Sequence, residues 1–262
     1  MKKSVSGDVL ALPRVVGGFW SGVLAAMLLA LSPAVQSQGP APAITPLSAG
    51  SGGQPAPGWR VVGIPGGKIA LTGFNIVELD SARVLRVEAI KSYANLVHAI
   101  APAVPAPGLQ LRWRWRLEQP LPDANLRRKD ADDSPIKVCA LFDQPLERLG
   151  LLERNLLRLA RSLSKESLPS ATLCYVWDAS IASGTILPNA YTNRVRLMVL
   201  DSGAQQLGQW RVHGRDLAAD FQRAFADDAG SVPPLTAVLI GADADNTGGH
   251  SVAYVADLSL AP

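Results

Sequence analysis

Between residues 109 and 117 the chain reads Leu-Gln-Leu-Arg-Trp-Arg-Trp-Arg-Leu, and apolar and polar positions alternate without a break. Leu111, Trp113, Trp115 and Leu117 fall on one side; Arg112, Arg114 and Arg116 fall on the other. A period of two marks a strand with two unlike faces. The tryptophan face suits a core layer, because each large aromatic buries about 150–250 Å². The arginine face needs solvent, acidic neighbours or a ligand, because an unpaired buried charge is prohibitive.

Shorter runs of the same kind recur. Residues 59–62 and 68–71 flank the turn Pro65-Gly66-Gly67, and 75–79 and 84–89 form a hairpin about Asp80-Ser81. Further strands are predicted at 93–100, 136–142, 172–177, 194–200, 208–212, 235–240 and 252–260. Two stretches break the pattern. In 145–163, Leu149, Leu152, Leu156, Leu159 and Leu163 repeat at three and four, an amphipathic helix suited to covering a sheet edge or face. In 216–225, Leu217, Phe221 and Ala224 share one side of a shorter helix. About ten or more short strands with two helical inserts predict an all-β, antiparallel β-sandwich rather than a parallel βαβ sheet.

The ends of the chain read differently. Lys2, Lys3 and Arg14 precede an apolar run from Val15 to Leu31, and Val35-Gln36-Ser37 supplies small residues after the break at Pro33. Residues 1–37 are therefore a signal peptide or an N-terminal membrane anchor, and the rest is exported, periplasmic or secreted. Residues 38–58, rich in Pro, Ala, Gly and Ser, read as a disordered linker ahead of a sandwich domain at 59–262. The net charge is +3, and two of those positive charges lie in the first 38 residues. The remainder is nearly neutral, which argues against nucleic acid as a partner. A membrane contact would come only through an uncleaved N-terminal segment.

Six segments occur in a recognisable order: Trp113-Arg114-Trp115-Arg116, Asp132-Asp133-Ser134-Pro135, Leu173-Cys174-Tyr175-Val176-Trp177, Gly208-Gln209-Trp210, residues 215–221 (Arg-Asp-Leu-Ala-Ala-Asp-Phe), and Asp243-Ala244-Asp245-Asn246-Thr247-Gly248. With them the chain resembles the bacterial family called domain of unknown function 3047, from about residue 59 to 260. Ala242-Asp243-Ala244-Asp245 departs from the expected Thr-Asp-Thr-Asp but keeps the acids. The resemblance implies a secreted sandwich akin to galactose-binding-like jelly rolls, and no established activity.

Candidate chemistry is sparse. Arg112, Arg114 and Arg116 suit an acidic glycan or phosphate, or else a ladder of ion pairs to acids on adjacent strands. Trp177, with Asp178 beside it, and Trp210 are candidates for stacking on a sugar ring, with the core as the competing location. Asp243, Asp245 and Asn246 offer hard oxygen ligands for a structural calcium, although the spacing is not that of an EF-hand. A turn whose side chains bond their own backbone, or pairing with the arginine face, would explain them equally. By analogy with jelly-roll modules, which often hold calcium near their terminal strands, Asp257 joins that candidate set. No nucleophile-elbow, zincin or phosphate-loop motif occurs. The expectation is a non-catalytic module of the cell envelope that binds a carbohydrate or other polar ligand. The alternatives are an enzyme acting on envelope polysaccharide and a structural or accessory envelope protein. The only cysteines, Cys139 and Cys174, sit mid-strand with no face plainly core, and are expected to be unpaired.

Overall fold

The computed structural model describes residues 43–262 except 65, 144, 149, 152–153, 156–157, 159–168 and 229. Twelve strands are described: β1 (Trp59–Val62), β2 (Gly73–Leu79), β3 (Ala82–Ile90), β4 (Tyr93–Ala103), β5 (Gln110–Gln119), β6 (Ser134–Phe142), β7 (Ala171–Asp178), β8 (Ile186–Pro188), β9 (Val195–Ser202), β10 (Arg211–Asp216), β11 (Leu235–Asp243) and β12 (His250–Ala261). They form a seven-stranded sheet ordered β1-β4-β11-β6-β7-β9-β8 and a five-stranded sheet ordered β10-β5-β12-β3-β2. One helix, α1 (Leu217–Ala224), follows β10. Asp216 caps it by accepting a hydrogen bond from the Ala219 amide at 2.9 Å.

The sandwich is closed by the strand with the strictest alternation. Leu111, Trp113, Trp115 and Leu117 are buried on the inner face of β5. They meet Tyr175 and Trp177 of β7; Trp113 lies 5.1 Å from Tyr175 and Trp115 lies 6.4 Å from Trp177, centroid to centroid. Leu85, Val87, Ala253 and Val255 continue the layer on one sheet, and Leu96, Val138, Val238 and Ile240 on the other. The β2–β3 hairpin turns on Asp80 and Ser81, both with positive φ (52° and 61°), as the primed two-residue turns require.

Several expectations need correction. The sheets are not wholly antiparallel: β9 lies parallel to β7, because the chain leaving β7 first forms the short outer strand β8 and only then turns back between the two. Residues 68–71 form no strand; Ala70 makes a single bridge to Ser92. The 208–212 strand begins later, at Arg211. The 38–58 segment is not a disordered linker over its described part. Leu47 and Ala56 are buried against the core, Gly53 accepts a hydrogen bond from the Ile76 amide at 2.9 Å, and the Trp59 indole donates to Thr45 O at 2.9 Å. Overall composition hid these few anchors. Residues 38–42, the N-terminal segment 1–37, and the leucine ridge of the 145–163 helix apart from its neighbours lie outside the described residues. Within it, Leu151, Arg154, Asn155 and Arg158 are helical. Among the described residues no helix is long and apolar enough to cross a membrane.

The cysteines are also corrected: Cys139 and Cys174 form a disulfide. They stand directly opposite one another in the antiparallel β6–β7 pair, with Cα atoms 4.0 Å apart. Alternation could not show this, because β7 is buried on both faces along its whole length. The bridge lies in an apolar row that crosses the outer face of the larger sheet: Val97, Leu239, Cys139, Cys174, Leu197, Leu187. Leu126 packs onto the same cluster, and Ile181 joins it at its rim.

Closing 35 residues of separation restricts the unfolded chain, which the loop-entropy treatment values at about 3–4 kcal/mol. The C139A/C174A double variant is therefore expected to unfold at a lower denaturant midpoint, with a slope no shallower than the wild type's because the uncrosslinked unfolded chain exposes more surface. Thiol labelling of the denatured wild type should appear only after reduction.

Candidate functional site

The structure places the residues that the sequence offered for ligand binding at separate positions. Arg112, Arg114 and Arg116 point away from the core on the five-stranded sheet, and each has a partner. Arg114 Nε donates to Asp257 Oδ2 at 2.6 Å. Arg116 pairs with Glu118 and, at 3.2 Å, with Asp80. Arg112 donates to Gln110 Oε1 at 2.9 Å and to the Pro262 carbonyl at 3.1 Å. Trp210 joins this surface beneath Arg114, whose guanidinium lies 4.4 Å from the ring centroid, and its indole donates to Asp80 at 2.9 Å. Trp177 is elsewhere. It is 1% exposed between the sheets, with its indole donating to Gly203 O at 3.0 Å, so it presents no free ring face to a sugar. Asp257 occupies a bulge in β12 with φ 56°, facing Arg114 and on a different sheet from Asp243.

A different set of side chains converges at one end of the seven-stranded sheet. Asn95 of β4, Gly241 of β11 and Lys137 of β6 are register partners in one row across three strands. All three lie on the outer face, since Leu96, Ile240, Val138 and Ile136 alternate inward with the core. Gly241 lets the flanking side chains close over the row. A Cβ there would stand 2.2 Å from Asn95 Oδ1 and 2.9 Å from Lys137 Cε, so only glycine admits both neighbours. Lys137 Nζ reaches Asp243 Oδ2 at 2.9 Å and lies 5.2 Å from the Tyr93 ring centroid. Tyr93 accepts a hydrogen bond from Asn95 Nδ2 at 3.0 Å.

The two acidic motifs, more than a hundred residues apart, build the rim together. Asp243 Oδ1 accepts from the Ser134 amide at 2.8 Å. Asp133 accepts from the Asn246 and Thr247 amides at 3.2 and 2.7 Å and from the Thr247 hydroxyl at 2.5 Å, so it holds the turn between β11 and β12. Asp132 is bound by Asn189 Nδ2 at 2.6 Å. Asp132, Asp133 and Asp243 are all buried, while Tyr93, Asn95, Lys137, Asn189 and Asp245 are half-buried. Among the described residues, Asn95 Oδ1 and Asp245 Oδ1 are enclosed without a hydrogen-bond partner, as in a site that awaits a donor.

Electrostatics follow from this crowding. Burial pushes the Asp132 carboxyl up to about 6; the Asn189 hydrogen bond opposes the shift and the charge of Asp243 adds to it. Burial raises Asp243 as well, and Lys137 offsets only part of that rise. Asp245 is raised by burial and then by Asp133 and Asp243. Burial disfavours charge on Lys137, but Asp243 and Tyr93 outweigh it and hold the ammonium above its usual range. The cation among these acids is thus the chain's own lysine. Among the described residues no three His, Cys, Asp or Glu side chains are arranged to hold a metal ion; Asp243 is engaged by Lys137, and Asn246 contributes its backbone amide to Asp133.

Next to this pocket, past Pro135, a cleft of about 160 Å³ opens between the loop after β5 and the end of β7, lined by Pro120, Leu121, Pro122, Trp177 and Asp178 among others. Asp178 is 1% exposed, and its Oδ1 accepts from the Ser180 amide at 2.7 Å and from the Ile181 amide.

Sequence reasoning missed Lys137, Asn95, Gly241 and Asn189. The available signals were a lysine inside an otherwise apolar strand and a glycine in the interior of another.

Fold and site together define a two-sheet β-sandwich with a polar cluster on the outer face of its larger sheet. The chain belongs to the family described as protein of unknown function (DUF3047), whose model matches residues 57–259. No curated protein matches it. Among solved structures it is similar to the xyloglucanase domain of NopAA, a type three effector from Sinorhizobium fredii, in complex with cellobiose (9% identity, 78% of this chain, 93% of that chain, TM-score 0.44). It is also similar to a family 12 xyloglucanase from Bacillus licheniformis (10%, 78%, 93%, 0.42). A third is a cellulase derived from Cel12A of Rhodothermus marinus (14%, 78%, 95%, 0.41).

Two expectations test the pocket. Asp132 has a folded pKa above its unfolded value of about 4, so the folded state holds the proton more firmly. Its contribution is fully present below about pH 4 and is lost as pH rises through about 6. Asp132→Asn should flatten that part of the stability profile and be relatively more stable above pH 6; parallel urea-midpoint profiles for the two proteins would contradict the assignment. Lys137→Met removes the cation from a buried pair, which costs about 3–5 kcal/mol. The loss should shrink as pH falls and the acids take up protons.

Proposed function

We propose that this is an exported cell-envelope protein whose outer-face pocket binds a carbohydrate or other polar ligand without transforming it. The observation that carries the reading is the polar cluster around Gly241. There Asn95 and Asp245 keep enclosed oxygens without hydrogen-bond partners among the described residues, beside a charged lysine and an aromatic ring. Sugar hydroxyls are donors and acceptors at once and suit such a mixed set. The Cys139–Cys174 disulfide supports export, since such bonds persist in oxidising compartments. The N-terminal basic and apolar run supports it independently.

A second reading, an enzyme acting on envelope polysaccharide, is favoured by one observation. Asp132, with a pKa near 6, has the proton affinity that a general acid needs at neutral pH.

A glycan array of envelope polysaccharide fragments tests the first reading. The wild type is expected to bind saturably, and Asn95→Ala to bind about tenfold more weakly, with its melting temperature kept. Binding by neither, or equally by both, would remove the pocket from the proposal. Release of reducing ends by the wild type and not by Asp132→Asn would replace the first reading with the second.

A further inference from the structure

The cleft beside Trp177 carries chemistry that the polar pocket does not use. Asp178 is buried, yet only one of its oxygens is satisfied. Oδ1 takes the Ser180 and Ile181 amides, while Oδ2 is enclosed with no hydrogen-bond partner among the described residues. Among the described residues no cationic side chain lines the cleft; its lining includes Pro120, Leu121, Pro122, Pro135 and Trp177, with small residues at the rim. A buried carboxylate oxygen without a donor is costly, and the ligand that gains most from reaching it brings both a donor and a positive charge.

Geometry narrows the cation. A guanidinium is read by two acceptors at once, and one oxygen here is already committed. An ammonium is a compact point charge with three donors, and it can pair with a single oxygen. The volume of about 160 Å³ lies below the range of about 300–1,000 Å³ of sites for whole small-molecule ligands. The cleft therefore takes the end of a ligand, one amine on a small apolar body.

We propose that this cleft is a binding site for a primary ammonium group, with Asp178 Oδ2 as its acceptor and the prolines and Trp177 as its apolar walls. The amine arrives either on a sugar ring or on an aliphatic chain, and the test separates them. Two charged–neutral pairs, n-butylammonium with n-butanol and glucosamine with glucose, are titrated into the ¹⁵N-labelled full chain. The Trp177 indole and the Ser180 and Ile181 amides are the reporters. At least one amine is expected to shift these signals saturably while its neutral partner does not, and the pair that does so identifies the carrier. Asp178→Asn keeps an oxygen for the two amides and removes the charge; it should weaken amine binding at least about tenfold. Should that variant not fold, Ala204→Phe, which adds bulk to the cleft lining, is expected to abolish the shifts. No saturable shift with either amine, equal binding of the neutral partners, or amine binding retained in the variant that folds would overturn the proposal. The reporters lie outside the Gly241 cluster, so a negative glycan array leaves this result to stand or fall by itself.

Discussion

The tryptophan layer can run to the edge of the sandwich only because the basic strand beside it is neutralised between the sheets. β10 pairs with β5 and turns Arg211, His213 and Arg215 toward Trp113 and Trp115. Two buried acids meet them. Asp201 accepts from Arg211 at 3.1 Å, pairs with the His213 ring at 2.8 Å and accepts from the Trp115 indole at 2.7 Å. Burial would raise its pKa, but these hydrogen bonds prevail and lower it. Asp220, projecting from α1, takes both arms of Arg215 at 2.6 and 2.7 Å and the Tyr175 hydroxyl at 3.1 Å. Remove either acid and a positive charge would face an aromatic core with no counter-ion, the costly case for a buried pair. The Arg-Asp-Leu-Ala-Ala-Asp-Phe segment is therefore a structural device: it ends the strand, caps the helix and delivers Asp220.

What could be read from the sequence divides along physical lines. The two faces of β5 were legible because one face is dry and the other wet, so period two survives in the residue types. The hairpin at Asp80-Ser81, the capped helix at 217 and the last strand were legible for the same reason or from local turn chemistry. β7 was not, because burial on both faces erases alternation, and with it went the clue that Cys174 faces Cys139. The parallel placement of β9 depends on where a three-residue outer strand docks, which no local pattern encodes. The site followed suit. Arginines and tryptophans draw the eye in a sequence, yet here they neutralise one another or fill the core. The pocket is made by Lys137 and Asp243, 106 positions apart, and by a glycine whose meaning appears only when its cross-strand neighbours are known.

The same edge strand has a consequence for how the molecule behaves among its copies. An exposed strand edge is a template on which another chain can add a strand. The larger sheet ends in β1, four residues long, and in β8, three residues that finish at Pro188, which has no amide to offer. The smaller sheet ends in β10, whose alternate side chains are inward-facing bases held by Asp201 and Asp220. A strand docking there would find a twisted, charge-anchored rim rather than a flat apolar ribbon. Although Val212 is widely exposed on that rim, its neighbours Arg211 and His213 turn inward to Asp201. The edges of both sheets thus offer little template for a strand from another copy.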